Sequence, residues 1–492
     1  MDMQRVELDE DEDRSDLAAP AGPDDELADT VRRPRRSRRG AVVLGAGALL
    51  VVGSLVGAQA VLDARERRAV AALQDVDGVV PPVGDRMTAV FSIANPLAFE
   101  AVDDLLMTVA AEPDGRQRVA VHSAQDGREL WSAPIGTART SDDAVLARPP
   151  CATGTSSAWG DVVLCLDTDG SVRWGDTGEL ERDEATYARL LVLGLADGTE
   201  HVRRDLAPDV RDVVLLDDLL VTAREGAGQV VLVASDVDGT VRWRKRLADG
   251  GAGAAGAGPI SLSIAGGGVW VDGSSGSPLG LVTREGEVLA RAVGNRWFSD
   301  ERSLLLTTSR GSATQTRVVR DAAVVATVEG DPVSSTVDDG SLGDVLLTDD
   351  EGLTLWDVAT GERRWVVPEG DDDGSDSYRR TASGSMVLRG VVYVWDDAVI
   401  RAFAGSDGRL LWTDAPPGSS VAEVLTDGRR LLVSPQFEEG SDTVMSLRAL
   451  TLDGEPAGRV ELPSGLRWTT SFEGMFWGVR EGDGEYDVVA LR

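Results

Sequence analysis

From about residue 85 onward the apolar residues of this chain fall into short runs, some alternating with polar positions and some unbroken, each closed by a turn. RVAVHSA (118–124), QVVLVAS (229–235), LTLWDV (353–358) and VIRAFA (399–404) are such runs. Another run precedes each of them: DDLLMTV (103–109), DDLLVTA (217–223), GDVLLTD (343–349) and GVVYVWD (390–396). Period-two patterning rich in Val, Leu and aromatics predicts strands, and the recurring order strand, strand, turn, strand predicts an all-β array.

The turns carry the strongest signal. Five times an Asp-Gly or Thr-Gly pair is followed, four residues after the glycine, by tryptophan: Gly127 with Trp131, Gly170 with Trp174, Gly239 with Trp243, Gly361 with Trp365, and Gly408 with Trp412. Five of the 12 tryptophans thus share one slot. A glycine turn between apolar strands is a hairpin signal, because glycine accepts the positive φ that tight turns need. Asp197-Gly198, Glu285-Gly286 and Asp453-Gly454 keep the turn but put Val202, Ala290 and Gly458 in the tryptophan slot. From Gly198, the turns at Gly239, Gly286, the degenerate Asp321-Ala322, Gly361, Gly408 and Gly454 recur every 36 to 47 residues. That period fits a four-stranded propeller blade.

The run from apolar strand through (Asp/Thr)-Gly-x-x-x-Trp resembles the repeat of the quinoprotein, or PQQ-like, β-propellers, over nearly everything after residue 85. The resemblance implies that the tryptophan comes from the outer strand of a blade and docks between neighbours, a role it assigns to Trp131, Trp174, Trp243, Trp365 and Trp412. It leaves activity open, since the same repeat serves PQQ-dependent alcohol dehydrogenases and non-enzymatic envelope scaffolds. The enzymes of the family use adjacent disulfide-bonded cysteines, a Ca²⁺ site with carboxylate and amide ligands, and a catalytic Asp. Here there is no Cys-Cys pair, and asparagine occurs only at Asn95 and Asn295. No catalytic, cofactor-binding or metal-binding residue is carried over, and no cofactor is expected.

Residues 85–492 number 408, enough for about eight four-stranded blades, with a ninth, shared blade as the alternative. Eight is the expectation. The last segment, GMFWGVREGDGEYDVVALR (474–492), has no outer strand after it. A strand near Met87 to Ile93 is expected to supply one and close the ring; the alternative is an open, frayed end.

Ahead of the propeller the composition changes. Residues 41–62 carry no charge. Twenty-two residues at 1.5 Å rise span about 33 Å, enough for a hydrocarbon core of roughly 30 Å. Arg32, Arg33, Arg35, Arg36, Arg38 and Arg39 precede the run, whereas Arg65, Arg67 and Arg68 follow it beside Asp63 and Glu66. The heavier basic cluster stays inside. The expected organisation is therefore a disordered, acidic then Arg-rich cytoplasmic tail (1–39), one transmembrane helix (40–62), a helical stalk and linker (63–84) and an extracytoplasmic propeller (85–492). The alternative is a cleavable signal, suggested by Ser37-Arg38-Arg39 and the small residues of Ala58-Gln59-Ala60.

Formal net charge is −34, from 83 acidic against 49 basic residues, which excludes nucleic acid as an expected partner. The only cysteines, Cys151 and Cys165, lie 14 positions apart and are expected to form one structural disulfide outside the cell; two separate buried thiols are the alternative. The two histidines, His122 and His201, fall in predicted strands, and Ser123 beside His122 points to the opposite face, so no relay forms. Gly251-Ala-Gly253-Ala-Ala-Gly256 matches a dinucleotide-binding string but is followed by Pro259 and a strand, and reads as a loop. The acidic Glu369–Gly374 imitates an EF-hand start, yet its twelfth position is Arg380.

Two classes of function remain. One is a membrane-anchored extracytoplasmic scaffold that binds an envelope protein or polymer. The other is a membrane-bound quinoprotein-like oxidoreductase, or another enzyme with an unrecognised central site. The first needs only a rigid rim and the second a constellation of polar groups. The expectation is a non-enzymatic scaffold.

Overall fold

The computed structural model describes residues 67–94, 96–111, 116–136, 151–174, 180–226, 229–248, 260–273, 278–290, 296–298, 303–310, 313–350, 352–368, 382–415, 421–435, 446–472, 474–482 and 485–492. The segments 1–39 and 40–62, the loop at 251–256 and the acidic stretch 369–380 lie outside the described residues. Among the described residues no helix is long and apolar enough to cross a membrane.

The glycine turns fold as their sequence dictates. Gly127, Gly198, Gly361 and Gly408 have φ between 69° and 71°, and each joins the third strand of a sheet to the fourth. At Gly198 the preceding aspartate braces the turn: Asp197 accepts the Thr199 hydroxyl (2.7 Å) and amide (2.9 Å), which hold its carboxyl below the ordinary value. Strands on either side then pair antiparallel into four-stranded sheets.

Nine sheets, or blades, eight of four strands and one, at 384–414, of five, follow one another among the described residues: 98–136, 151–206, 210–248, 261–290, 296–329, 331–368, 384–414, 421–461 and 466–491. Nine hydrophobic clusters join them in order. Met107, Val121 and Ile135 of blade 1 pack on Cys165 and Leu191 of blade 2, and Leu106 of blade 1 packs on Trp477 and Val488 of blade 9, closing the circle. Strand Gly160–Thr168 shows why some runs are apolar without a break. Val163 and Cys165 face blade 1, whereas Val162, Leu164 and Leu166 face blade 3, so both sides of the strand are buried.

The expectation of eight blades is thus corrected to nine. Eight third-to-fourth-strand turns mark eight blades, and the ninth has no such turn because its fourth strand comes from the other end of the chain. Strand Ala89–Ala94 pairs antiparallel with Glu485–Leu491, with Ser92 opposite Val489 and Ala94 opposite Asp487. Thr88 and Arg492 exchange two backbone hydrogen bonds at 2.8 and 3.0 Å. Closure by the first strand, near Met87 to Ile93, is therefore present.

A strap leads into that strand. Residues 67–73 are helical. Leu73 and Val79 enter the cluster between blades 7 and 8, and Val80 and Met87 the cluster between blades 8 and 9. Val80 donates to the Thr426 carbonyl (2.9 Å) and Met87 to that of Glu461 (2.8 Å). Gly78 crosses so close to strand Ser335–Asp338, which pairs with Gly384–Leu388 of blade 7, that a Cβ there would lie 2.0 Å from the Thr336 carbonyl oxygen.

Cys151 and Cys165 are directly opposite on neighbouring strands of blade 2 and form a disulfide. In the chain-entropy treatment a loop of this size stabilises the fold by about 3 kcal/mol. Cys165→Ser is expected to lower the midpoint of chemical unfolding under oxidising conditions and to leave the reduced protein nearly unchanged. An oxidised midpoint equal to that of the parent would contradict the bond.

Candidate functional site

The tryptophan slot is a joint between blades. Trp131, Trp243, Trp365 and Trp412 sit on fourth strands, and each indole donates to a carbonyl in the following blade: Leu195 (2.8 Å), Arg284 (2.7 Å), Gly405 (3.0 Å) and Leu452 (3.1 Å). Each ring lies over the turn glycine of that next blade. A Cβ on Gly198, Gly286, Gly408 or Gly454 would come within 2.6 to 2.8 Å of the indole. Glycine is needed twice there, for φ and for the ring.

The weaker copies follow the same geometry. Val202 occupies the slot in blade 2, and the Arg204 guanidinium approaches Gly239 instead. Ala326 fills the slot in blade 5, and nothing stands over Gly361. In blade 9 the shared strand brings Phe91 over Gly127, a replacement hidden from the motif because it comes from the other chain end. Trp174 requires a correction: its strand, Ser171–Trp174, pairs with Leu180–Asp183 as a separate hairpin, not as the fourth strand of a blade. The turn at Gly170 follows a second strand, so the spacing matched while the position in the blade did not; the Trp174 side chain lies outside the described residues.

Acidic side chains on the first strands of blades 1, 3 and 8 reach across to the next blade. Glu100 of blade 1 accepts the Thr153 amide (3.0 Å) and hydroxyl (2.5 Å) of blade 2. Asp212 of blade 3 accepts the Leu262 amide of blade 4 at 2.6 Å. Glu423 of blade 8 is held more loosely, receiving the Thr470 hydroxyl of blade 9 at 3.5 Å. Burial pushes its carboxyl up to about 7, against a smaller lowering by Thr470.

Both histidines have structural surroundings. The Nδ1–H of His122 donates to the Gly127 carbonyl (3.3 Å), and its Nε2 lies 3.0 Å from the Thr108 hydroxyl. His201 stacks on Trp159 with centroids 5.2 Å apart. Among the described residues no group of three or more His, Cys, Asp or Glu is arranged to hold a metal ion.

Among the described residues, openings lie between neighbouring blades. One, of about 570 Å³ between blades 5 and 6, is lined by polar groups that include Gln315, Arg317, Glu329, Asp350 and Arg363. Another, of about 550 Å³, lies where blades 5, 6 and 7 meet the strap, with Leu346, Leu347 and Val387 inside and Asp75, Asp77 and Asp338 among its lining carboxylates. Both fall within the roughly 300–1,000 Å³ of ligand clefts.

No protein-family model matches the chain, and no curated protein matches it. Among solved structures it is similar to BamB from Moraxella catarrhalis, at 14% identity over 82% of this chain and 99% of that one, with a TM-score of 0.38. It is also similar to the C-terminal WD40 domain of Sif2 (12% identity, 84% and 99% covered, TM-score 0.37). A third is the computationally designed Ika8 protein (13%, 73% and 96%, TM-score 0.32). At such scores these likenesses decide nothing further; the ring stands on its own strand pairing and packing.

Gly408 and Gly361 share nearly the same φ, 71° and 69°, but only Gly408 lies under an indole. Gly361→Ala is expected to cost about 1–2 kcal/mol for the left-handed backbone, and Gly408→Ala roughly 1–3 kcal/mol more because the Trp365 ring must shift. Equal losses in denaturant unfolding would show that the ring is not seated on the turn. For Glu423 the folded-state pKa lies above the ordinary 4.5, so the stability it contributes is complete below about pH 4.5 and is lost as pH rises through about 7. Glu423→Gln should therefore gain in melting temperature relative to the parent between about pH 5 and 8. A pH-independent difference would contradict this.

Proposed function

We propose that the chain is a membrane-anchored, extracytoplasmic β-propeller that acts as an interaction platform for a protein or polymer of the cell envelope. The observation that carries the proposal is the closed, cross-jointed ring. Tryptophan and carboxylate joints tie blades 1 to 2, 3 to 4, 6 to 7, 7 to 8 and 8 to 9, and apolar clusters join the remaining neighbours, so the loops at the rim sit on a rigid support, as binding loops require. The Cys151–Cys165 bridge suits an oxidising compartment. The uncharged run 41–62, with its heavier arginine cluster on the N-terminal side, suits a tail inside and a propeller outside. In this reading the ring is non-catalytic and its specificity lies in surface chemistry.

The single lysine of the sequence gives a direct test, since Lys245 lies on strand Val241–Ala248 of the propeller. A membrane-impermeant amine reagent added to intact cells should label Lys245, and crosslinked capture should recover an envelope component that is lost when residues 85–492 are removed. Labelling of Lys245 only after lysis would contradict the outward placement. Capture that persists without the propeller would contradict the platform.

A further inference from the structure

Blade 6 lacks most of its first strand. Asp331 and Pro332 pair with Asp349 and Thr348, and Val333 donates to the Leu347 carbonyl at 2.9 Å. There the chain leaves. Ser334 accepts the Ser385 amide at 2.7 Å, and Ser335–Asp338 runs parallel to Gly384–Leu388, becoming an extra fifth strand on the inner edge of blade 7. The chain returns through a turn at Gly340–Gly343 to start the second strand of blade 6, Val345–Asp349. In the resulting register Val345 and Leu346 pair outward with Asp357 and Trp356, and no described strand lies beside them on the inner side.

The cavity of about 550 Å³ occupies that place. Its walls are aliphatic, with Leu305 and Val318 from blade 5, Leu346 and Leu355 from blade 6, and Val387 and Val392 from blade 7. Carboxylates edge it. Asp75 and Asp77 come from the strap and Asp338 and Asp339 from the diverted strand and its turn. The lining arginine, Arg320, is already engaged with Asp344 through two contacts at 2.5 and 2.8 Å. Burial, and after it the neighbouring Asp339 and Asp344, pushes the Asp338 carboxyl up.

We propose that this gap is a peptide-docking site: an extended segment of a partner protein adds beside Val345 and Leu346 as the missing first strand, with an aliphatic side chain in the cavity and a basic residue among Asp75, Asp77 and Asp338. Strand addition supplies affinity through main-chain hydrogen bonds and specificity through pockets for alternate side chains. Both parts are here, an uncovered strand edge and an apolar pocket beside it, and the surrounding carboxylates select a cationic partner. The site rests on the interaction-platform reading and names the chemistry of what the platform holds.

The test uses the full-length chain in detergent and three labelled hexapeptides: Val-Thr-Val-Thr-Arg-Arg, the same sequence ending in Glu-Glu, and the Arg-Arg peptide with alternate backbone nitrogens methylated. Fluorescence anisotropy should show saturable binding of the first, weakened at least tenfold in each of the other two. Leu346→Trp, which fills the cavity, should weaken the first peptide at least tenfold, and Asp75→Asn with Asp77→Asn should weaken it several-fold while reducing the salt dependence. No saturable binding, or equal binding of the methylated peptide, overturns strand addition; because that comparison uses the parent chain, it holds even if Leu346→Trp misfolds. Undiminished capture of an envelope component by a folded Leu346→Trp chain that no longer binds peptide would overturn this site as the partner's contact and leave the platform standing.

Discussion

One pairing holds this ring together, that of strand Ala89–Ala94 with Glu485–Leu491. A propeller blade buries both faces against its neighbours, so every blade depends on the next being complete. Three C-terminal strands alone would leave blade 9 with an open edge of unpaired backbone groups. The shared strand covers that edge. It also brings Phe91 over Gly127 and, with Phe99 of blade 1, packs it around Trp477. The strap then ties the same segment to blades 7, 8 and 9 before the strand begins.

Much of this was legible in the sequence, because the turns obey local chemistry. Asp-Gly fixes its own hairpin, and the tryptophan four residues later must reach the next blade wherever the turn joins a third strand to a fourth. Trp131, Trp243, Trp365 and Trp412 satisfy that condition. Trp174 does not, since its turn follows a second strand and opens an inserted hairpin. Spacing alone does not encode position within a blade. The ninth blade was concealed for a related reason: it has no internal turn to count, and its parts lie almost 400 residues apart in sequence.

The diversion of Ser335–Asp338 into blade 7 was equally invisible. The segment reads as an ordinary strand, and only the competition between two sheet edges decides which one it joins. Here the inner edge of blade 7 wins, with Val337 buried beside Leu73 and Met386. Blade 6 is left with an uncovered edge and the ring with an apolar cavity. The carboxylates that bridge first strands were likewise unreadable, because Glu100, Asp212 and Glu423 find their partners about 50 residues away. Such long-range contacts stiffen the ring by tying first strands of neighbouring blades to one another.

The most direct test of the whole account is a crosslink across the closing pair. Ala94 and Asp487 face each other in the register of the shared blade, and the native cysteines are already bonded to each other. A chain carrying both Ala94→Cys and Asp487→Cys should form a second disulfide spontaneously on mild oxidation, seen as faster migration on a non-reducing gel that neither single variant shows. Its thermal unfolding should then shift upward, since the bond locks the ring shut. A folded double variant that stays reduced would mean that the ring is not closed by its own first strand.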